Sequence, residues 1–457
     1  MKLIYNVKDK PKFGQLIVFA IQQLLAIMAA TLVVPIIIGN NMSPAAALFG
    51  AGVGTLVYVA FTQRKSPVFL GSSFAFLGSM AAAFAGGVSM ALGYLGLIIG
   101  AVMAGLVYVV IAILVKFVGV GWLNKLMPTV VIGPTVAIIG LSLAGNAVGD
   151  LQKAGVTNAD GVPVANVLLC VAVGLVTLFV TMLASTYGKK MARLIPFILG
   201  ILAGYGVALI CTIIGTVADI EWLMMINFSH FTNLWADGVT LSTFFEVPDF
   251  TFLTALGGFS ELNGAYIGTI AAAYIPVAFV VFAEHVADHK NISSIIEADL
   301  LEDPGLSRTL LGDGVGSMVG ALFGGCPNTT YGESVGCVAI TRNASVYTII
   351  TAAIGAIIIS FVNPFVAFVN SIPSCVMGGV CMALYGFIAV SGLKMLQKVD
   401  LEQNRNLFVV SAILIAGIGG LALNFGQVTI TSIATALIIG ILANVMLSKE
   451  KVADDEE

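Results

Sequence analysis

The sequence predicts an all-α polytopic membrane protein of fourteen crossings. Three observations carry this: apolar composition, a series of bilayer-length segments, and positive charge confined to one side. Of 457 residues, 59% are hydrophobic and only 10% charged, against about 25% charged in soluble proteins. Mean hydropathy is +1.04. The formal net charge of −4 decides little, because placement matters more than sum. The lysine-rich start runs into an apolar stretch too long for a signal-peptide core, so no cleavable leader is expected. Cysteines 170, 211, 326, 337, 375 and 381 lie in apolar segments without paired spacing, which suits packing better than disulfides or metal. The expected partners are the lipid bilayer and a small molecule, with no nucleic acid; oligomeric state is open, a homodimer included.

Roughly 20 apolar residues cross the hydrocarbon core. Segments that fit occupy 14–39, 43–62, 71–85, 90–117, 122–145, 165–186 and 193–216, then 265–288, 307–325, 331–341, 345–369, 373–393, 406–423 and 428–448. The third and tenth are too short to cross as helices alone. They span if each begins with extended chain, as 66–73 and 326–330 suggest.

Charge placement tests the count. With fourteen crossings both termini share a side, and of the 20 basic residues all but Lys153 fall there. These are Lys2, Lys8, Lys10, Lys12, Arg64, Lys65, Lys116, Lys125, Lys189, Lys190, Arg193, Lys290, Arg308, Arg342, Lys394, Lys398, Arg405, Lys449 and Lys451. The positive-inside rule makes that side, and both termini, cytoplasmic. Moving one boundary by a single crossing would scramble the pattern.

The interval 217–262 has no lysine or arginine and holds Asp219, Glu221, Asp237, Glu246, Asp249 and Glu261. It reads as an outside loop, either an amphipathic cover or a plain connector. It divides the chain into a first repeat, 1–216, and a second, 263–450. Seven crossings per half is odd, so the halves have opposite orientation, the arrangement of inverted-repeat transporters. The two short segments hold corresponding places in the halves. Pro128-Thr-Val-Val-Ile-Gly133 and Pro373-Ser-Cys-Val-Met-Gly378 are a faint further echo. The row Gly312, Gly316, Gly320 and Gly324 reads as close helix packing alone. The acidic tail 454–457 reads as solvated.

The stretch around which a site would form is Pro327-Asn-Thr-Thr-Tyr-Gly-Glu333. Pro327 and Gly332 oppose one regular helix, and Asn with two threonines favours a short extended piece. Non-helical backbone at membrane depth survives only where protein buries it or it lines a cavity. Gly71-Ser72-Ser73-Phe74 could supply the matching strand. The two would then pair antiparallel, with restarting helices aiming their N-termini inward.

Intramembrane carboxylates mark function. Glu333 restarts segment ten, and Glu284 follows the uncharged run 275–283. Asp288 is one helical turn beyond Glu284. For Asp288, His285 and His289 a solvated helix end is the competing reading, since Lys290 follows directly. The two histidines have zinc-helix spacing, but the glutamate precedes rather than follows the first, so no metal site is expected. No nucleophile–base pair, P-loop or dinucleotide fingerprint is found, so no enzyme and no cofactor are expected. Rings, carboxylates and free backbone N–H groups suit a flat heteroaromatic ligand with N–H and C=O edges.

These motifs resemble the nucleobase–ascorbate transporters (nucleobase–cation symporters of the second type), in particular the bacterial uracil permeases. The likeness runs through Ala29-Ala-Thr-Leu-Val-Val-Pro35, Leu70-Gly-Ser-Ser-Phe-Ala-Phe76, Ala283-Glu-His-Val286, Asp303-Pro-Gly-Leu306, and Pro327 to Glu333 on to Ile340-Thr-Arg342. It implies fourteen segments in two inverted repeats, a core domain of segments one to four and eight to eleven, and a gate domain of the others. It implies proton-coupled uracil symport across the plasma membrane, with a xanthine or urate permease as the alternative within the family. A passive channel or an anion exchanger of similar fold is the alternative outside it. By position it makes Glu284 and Glu333 the substrate carboxylates and places Phe74, Tyr331, Gly332, Ala30 and Tyr385 beside the base. Proton coupling would fall to Glu284, Asp288 and Glu333. Two departures stand out: Gln22-Gln23 where uracil permeases usually have Gln-His, and Asp288 where a histidine is expected.

Overall fold

Helix ends are set by residues that satisfy the backbone groups left over there. In the computed structural model, α1 (Phe13–Ile38) stops at Gly39 with positive φ. The second helix, α2 (Pro44–Phe61), starts on a Ser43 cap with proline at its first position. The structure describes residues 3–119, 128–157, 164–189, 191–236, 238–425 and 428–449. Lys2, Lys125, Lys190, Asp237, Lys451 and the acidic tail of the sequence reading lie outside them.

The chain then runs as strand β1 (Leu70–Ser72), a 3-10 turn Phe74–Phe76, and α3 (Leu77–Ala83). Next are α4 (Met90–Val118), α5 (Thr129–Ser142), α6 (Ala144–Leu151), α7 (Val167–Tyr187) and α8 (Pro196–Ala218). The interval that follows is folded into short helical turns, including α9 (Thr251–Ala255) with its 3-10 extension Leu256–Ser260. It is a cover: Glu246 N–H donates to the Phe361 carbonyl at 3.0 Å, and α9 packs on α4.

The second half holds α10 (Gly264–Ile296), α11 (Leu306–Gly324), strand β2 (Asn328–Thr330) and α12 (Gly332–Thr341). It continues with α13 (Val346–Ile359), α14 (Asn363–Ser371), α15 (Ser374–Leu396), α16 (Asn404–Ile418), the hairpin β3 (Leu423–Phe425) and β4 (Val428–Ile430), and α17 (Ser432–Met446). Among the described residues, eight helices are long and apolar enough to cross a membrane: α1, α2, α4, the α5–α6 unit, α7, α8, α10 and α15.

Two elements differ from the sequence expectation. The helix expected to end near 288 runs on to Ile296, so the histidines are not at its end. The segment expected at 345–369 breaks after Ile359, and Pro364 starts α14 as its second residue.

Helices fall into two packing groups. Helices α2, α4, α10, α11, α13 and α1 pack on one another, while α5, α7, α8, α15, α16 and α17 do the same. Glycine decides the α2–α11 crossing: a Cβ at Gly54 would strike the Gly316 carbonyl, and one at Gly50 that of Gly320. Asn328 enters this seam and donates to the Gly50 carbonyl at 3.0 Å. An N-terminal strap runs beside the turn after α12: Ala344 N–H donates to Tyr5 O at 2.9 Å and Val346 N–H to Val7 O at 3.0 Å.

Candidate functional site

Strands β1 and β2 pair antiparallel, Leu70 with Thr330 and Ser72 with Asn328. Two flanking bonds extend the ladder, Ser73 N–H to Pro327 O at 2.9 Å and Tyr331 N–H to Phe69 O at 3.2 Å. Backbone groups that leave the helix are thereby satisfied away from water. Tyr331 folds back, its hydroxyl donating to Ser72 O at 2.6 Å. A Cβ at Gly71 would overlap the Tyr331 ring, so this approach requires glycine.

Beside the strands lies a cavity of about 460 Å³. Its wall includes Phe74, Tyr331, Gly332, Glu284, Asp288 and Glu333. Helix α12 starts at Gly332, so its first N–H groups and their partial positive charge lie at this wall. The Asp288 carboxylate accepts from Thr330 Oγ1 at 2.9 Å, tying α10 to β2. Behind Glu333, Ser334 Oγ accepts from the Gln23 amide and from Phe69 N–H, the latter at 2.9 Å. Ser334 thus links α12 to buried Gln23 of α1 and to the approach to β1.

Helix periodicity splits α10 into two chemical faces. Glu284, Asp288 and Asn291 face the cavity, whereas His285 and His289 are buried on the other side. His285 Nδ1 lies 2.6 Å from Asp313 Oδ2 and Nε2 lies 3.0 Å from Thr309 Oγ1. His289 Nδ1 is 2.7 Å from the His285 carbonyl. A carbonyl only accepts, so Nδ1 carries the proton and a neutral ring must accept at Nε2. There the Tyr58 hydroxyl stands at 2.7 Å, and Ser66 Oγ lies 2.7 Å beyond it. The solvated-end reading therefore fails for both histidines. Among the described residues, no group of three or more His, Cys, Asp or Glu is arranged to hold a metal.

Ala30 and Tyr385 are not on the cavity wall. Ala30 is buried in α1, in the apolar cluster that contains Tyr331. Tyr385 packs behind Phe74, ring centroids 6.3 Å apart. From α15 the wall instead receives Leu384, Phe387, Ile388, Ser391 and Met395. Phe197 of α8 joins them, its ring 6.0 Å from that of Phe387. The helical spacing of the α15 residues was available in the sequence, but its phase was not. Asp313 was missed because it sits inside the glycine row read as packing.

A model of the Permease family matches residues 14–425. The uracil permease of Bacillus caldolyticus is 39% identical over 452 residues, covering 98% of this chain and 95% of its own. The uracil permease of Escherichia coli (strain K12) is 35% identical over 462 residues, covering 99% and 97%. Among solved structures, the transmembrane domain of the cyanobacterial bicarbonate transporter BicA shares the fold: TM-score 0.64, 14% identity, covering 97% of this chain and all of that one.

Proposed function

The chain belongs to the nucleobase–ascorbate transporter family, and from that premise we propose that it carries uracil into the cell together with a proton. It is a permease rather than an enzyme, as its relatives are named. The observation that carries the substrate reading is the cavity shared by two glutamates and two aromatic rings, Phe74 and Tyr331. A pyrimidine dione has ring N–H groups for carboxylates to accept from, and carbonyls for the N–H groups that open α12. Its flat faces suit the rings. An anion would meet Glu284, Asp288 and Glu333 on one wall, which argues against anion exchange despite the shared fold.

In this reading the chain crosses the plasma membrane fourteen times, as inverted repeats 1–216 and 263–450 with both termini cytoplasmic. The two packing groups of helices support a core that moves against a gate. Asn291, Ser391 and Met395 continue the cavity toward the C-terminal ends of α10 and α15. These ends are cytoplasmic in the proposed orientation, so this conformation is the inward-facing one of an alternating-access cycle. Glu284, Asp288 and Glu333 are the groups available to take up and release the coupled proton.

The test is uptake of labelled uracil into proteoliposomes under a pH gradient, with unlabelled bases as competitors. Uracil should compete and an uncoupler should abolish accumulation. No uptake of labelled uracil, with uptake of labelled xanthine or urate by the same vesicles, would reassign the chain to the purine permeases. Accumulation that survives the uncoupler would remove the proton.

A further inference from the structure

The cover between α8 and α10 has its apolar side in an unusual place. In the ten residues Thr251–Ser260, the buried positions are Thr251, Ala255 and Gly258. The exposed ones include Leu253, Leu256 and Phe259, at 55, 63 and 60%. Spacings of i, i+4, i+7 and i, i+3, i+6 put the two sets on opposite faces. Small residues meet protein, and large apolar ones face outward. Water as solvent selects the reverse, while lipid permits it, since small residues let helices pack closely there. The inner face is properly seated: a Cβ at Gly258 would strike the Ala91 backbone. Phe250 just before it packs on Phe323 and Phe49, ring centroids 5.4 and 4.8 Å away.

Three further observations choose the occupant of the outer face. The contact with Ala91 is at the first turn of α4, a helix long and apolar enough to cross a membrane, so the outer face lies level with the end of a span. Trp222 and Trp235 of the same cover are half exposed, and tryptophan gathers at membrane interfaces. The interval 217–262 has no lysine or arginine. Of its acids, Glu246 and Asp249 line a separate cavity, and Glu261 accepts from Ser89 Oγ at 2.7 Å. Ten residues are too short to cross but suit an interfacial helix.

We propose that Thr251–Ser260 lies in the interface of the leaflet away from the termini, with Leu253, Leu256 and Phe259 inserted among its acyl chains. The contact is hydrophobic, so it does not depend on anionic lipid or on ionic strength.

The experiment is fluorescence quenching in phosphatidylcholine vesicles. Trp122, Trp222 and Trp235 are the three tryptophans; each is changed to Phe, and Phe259→Trp then supplies a single probe. Lipid brominated near the head of the acyl chain should lower its emission by about twofold or more, and deeper bromination by less, as for a helix sunk roughly 5–10 Å. Iodide should have little effect. In the same background Asn233→Trp, in the separate cavity, should give the opposite pattern. Should the four-substitution protein fail to fold, Trp122→Phe alone leaves Trp222 and Trp235 as reporters, with the same expectation. Strong iodide quenching without bromolipid quenching would overturn the proposal in favour of a water-facing loop. Protection from both would overturn it in favour of a second protein copy.

Discussion

At the scale of single residues, the two glutamates are expected to do different work. Glu333→Gln keeps the size of the side chain but replaces an acceptor oxygen with a donor. Losing a charge-assisted bond to a ring N–H should cost about 1.5–3 kcal/mol, a ten- to hundredfold weaker uracil affinity. Calorimetry on purified protein checks this, and near-normal binding would refute the role. Glu284→Gln mimics a permanently protonated group. In liposomes it should keep part of its uracil binding while an imposed pH gradient no longer drives accumulation; gradient-driven accumulation at the native level would hand the coupling to Asp288 or Glu333. Both glutamates were legible in the sequence because carboxylates are costly in an apolar context. Asp313 was equally costly, but it sits inside the row Gly312, Gly316, Gly320 and Gly324, which offered a sufficient packing reason and hid it. Tyr385 shows another limit: adjacent residues of a helix differ by about 100°, so Leu384 reaches the cavity while Tyr385 packs behind Phe74. Sequence cannot set that phase when α15 is apolar all round.

At the scale of elements, the site depends on a seam that does not touch substrate. Strand β2 hangs on Asn328, whose amide occupies the space where Gly320 would carry a side chain. Gly320→Ala should displace that amide and lower stability by about 1–3 kcal/mol. A thermal melt in detergent reads the loss, and an unchanged midpoint would contradict the seam's role. Proline and glycine flanks made the break at 327–332 legible. The run beyond Asp288 was harder to read: Lys290 looked like an exit to water, yet it is an exposed residue on a helix that runs on to Ile296 and still buries His289 and Ile292 on either side of it.

At the scale of the whole molecule, the fourteen-crossing orientation can be tested with single cysteines. Five of the six native thiols are buried and the sixth is half-buried, so background labelling should be low. Thr240→Cys in intact cells should react with an impermeant thiol reagent and Lys189→Cys should not; the reverse would overturn the orientation. The β1–β2 pairing also bears on how the protein is made. Leu70 and Thr330 are partners in space, yet the ribosome delivers them far apart in time. At about 5–20 residues per second, the first strand waits roughly tens of seconds for the second. In the proposed topology its open edge sits throughout that interval in a half-built protein at membrane depth, where unsatisfied peptide groups are costly. Nascent chains stalled before residue 326 should therefore be held by the insertion machinery or degraded, and the site appears only when the second half arrives.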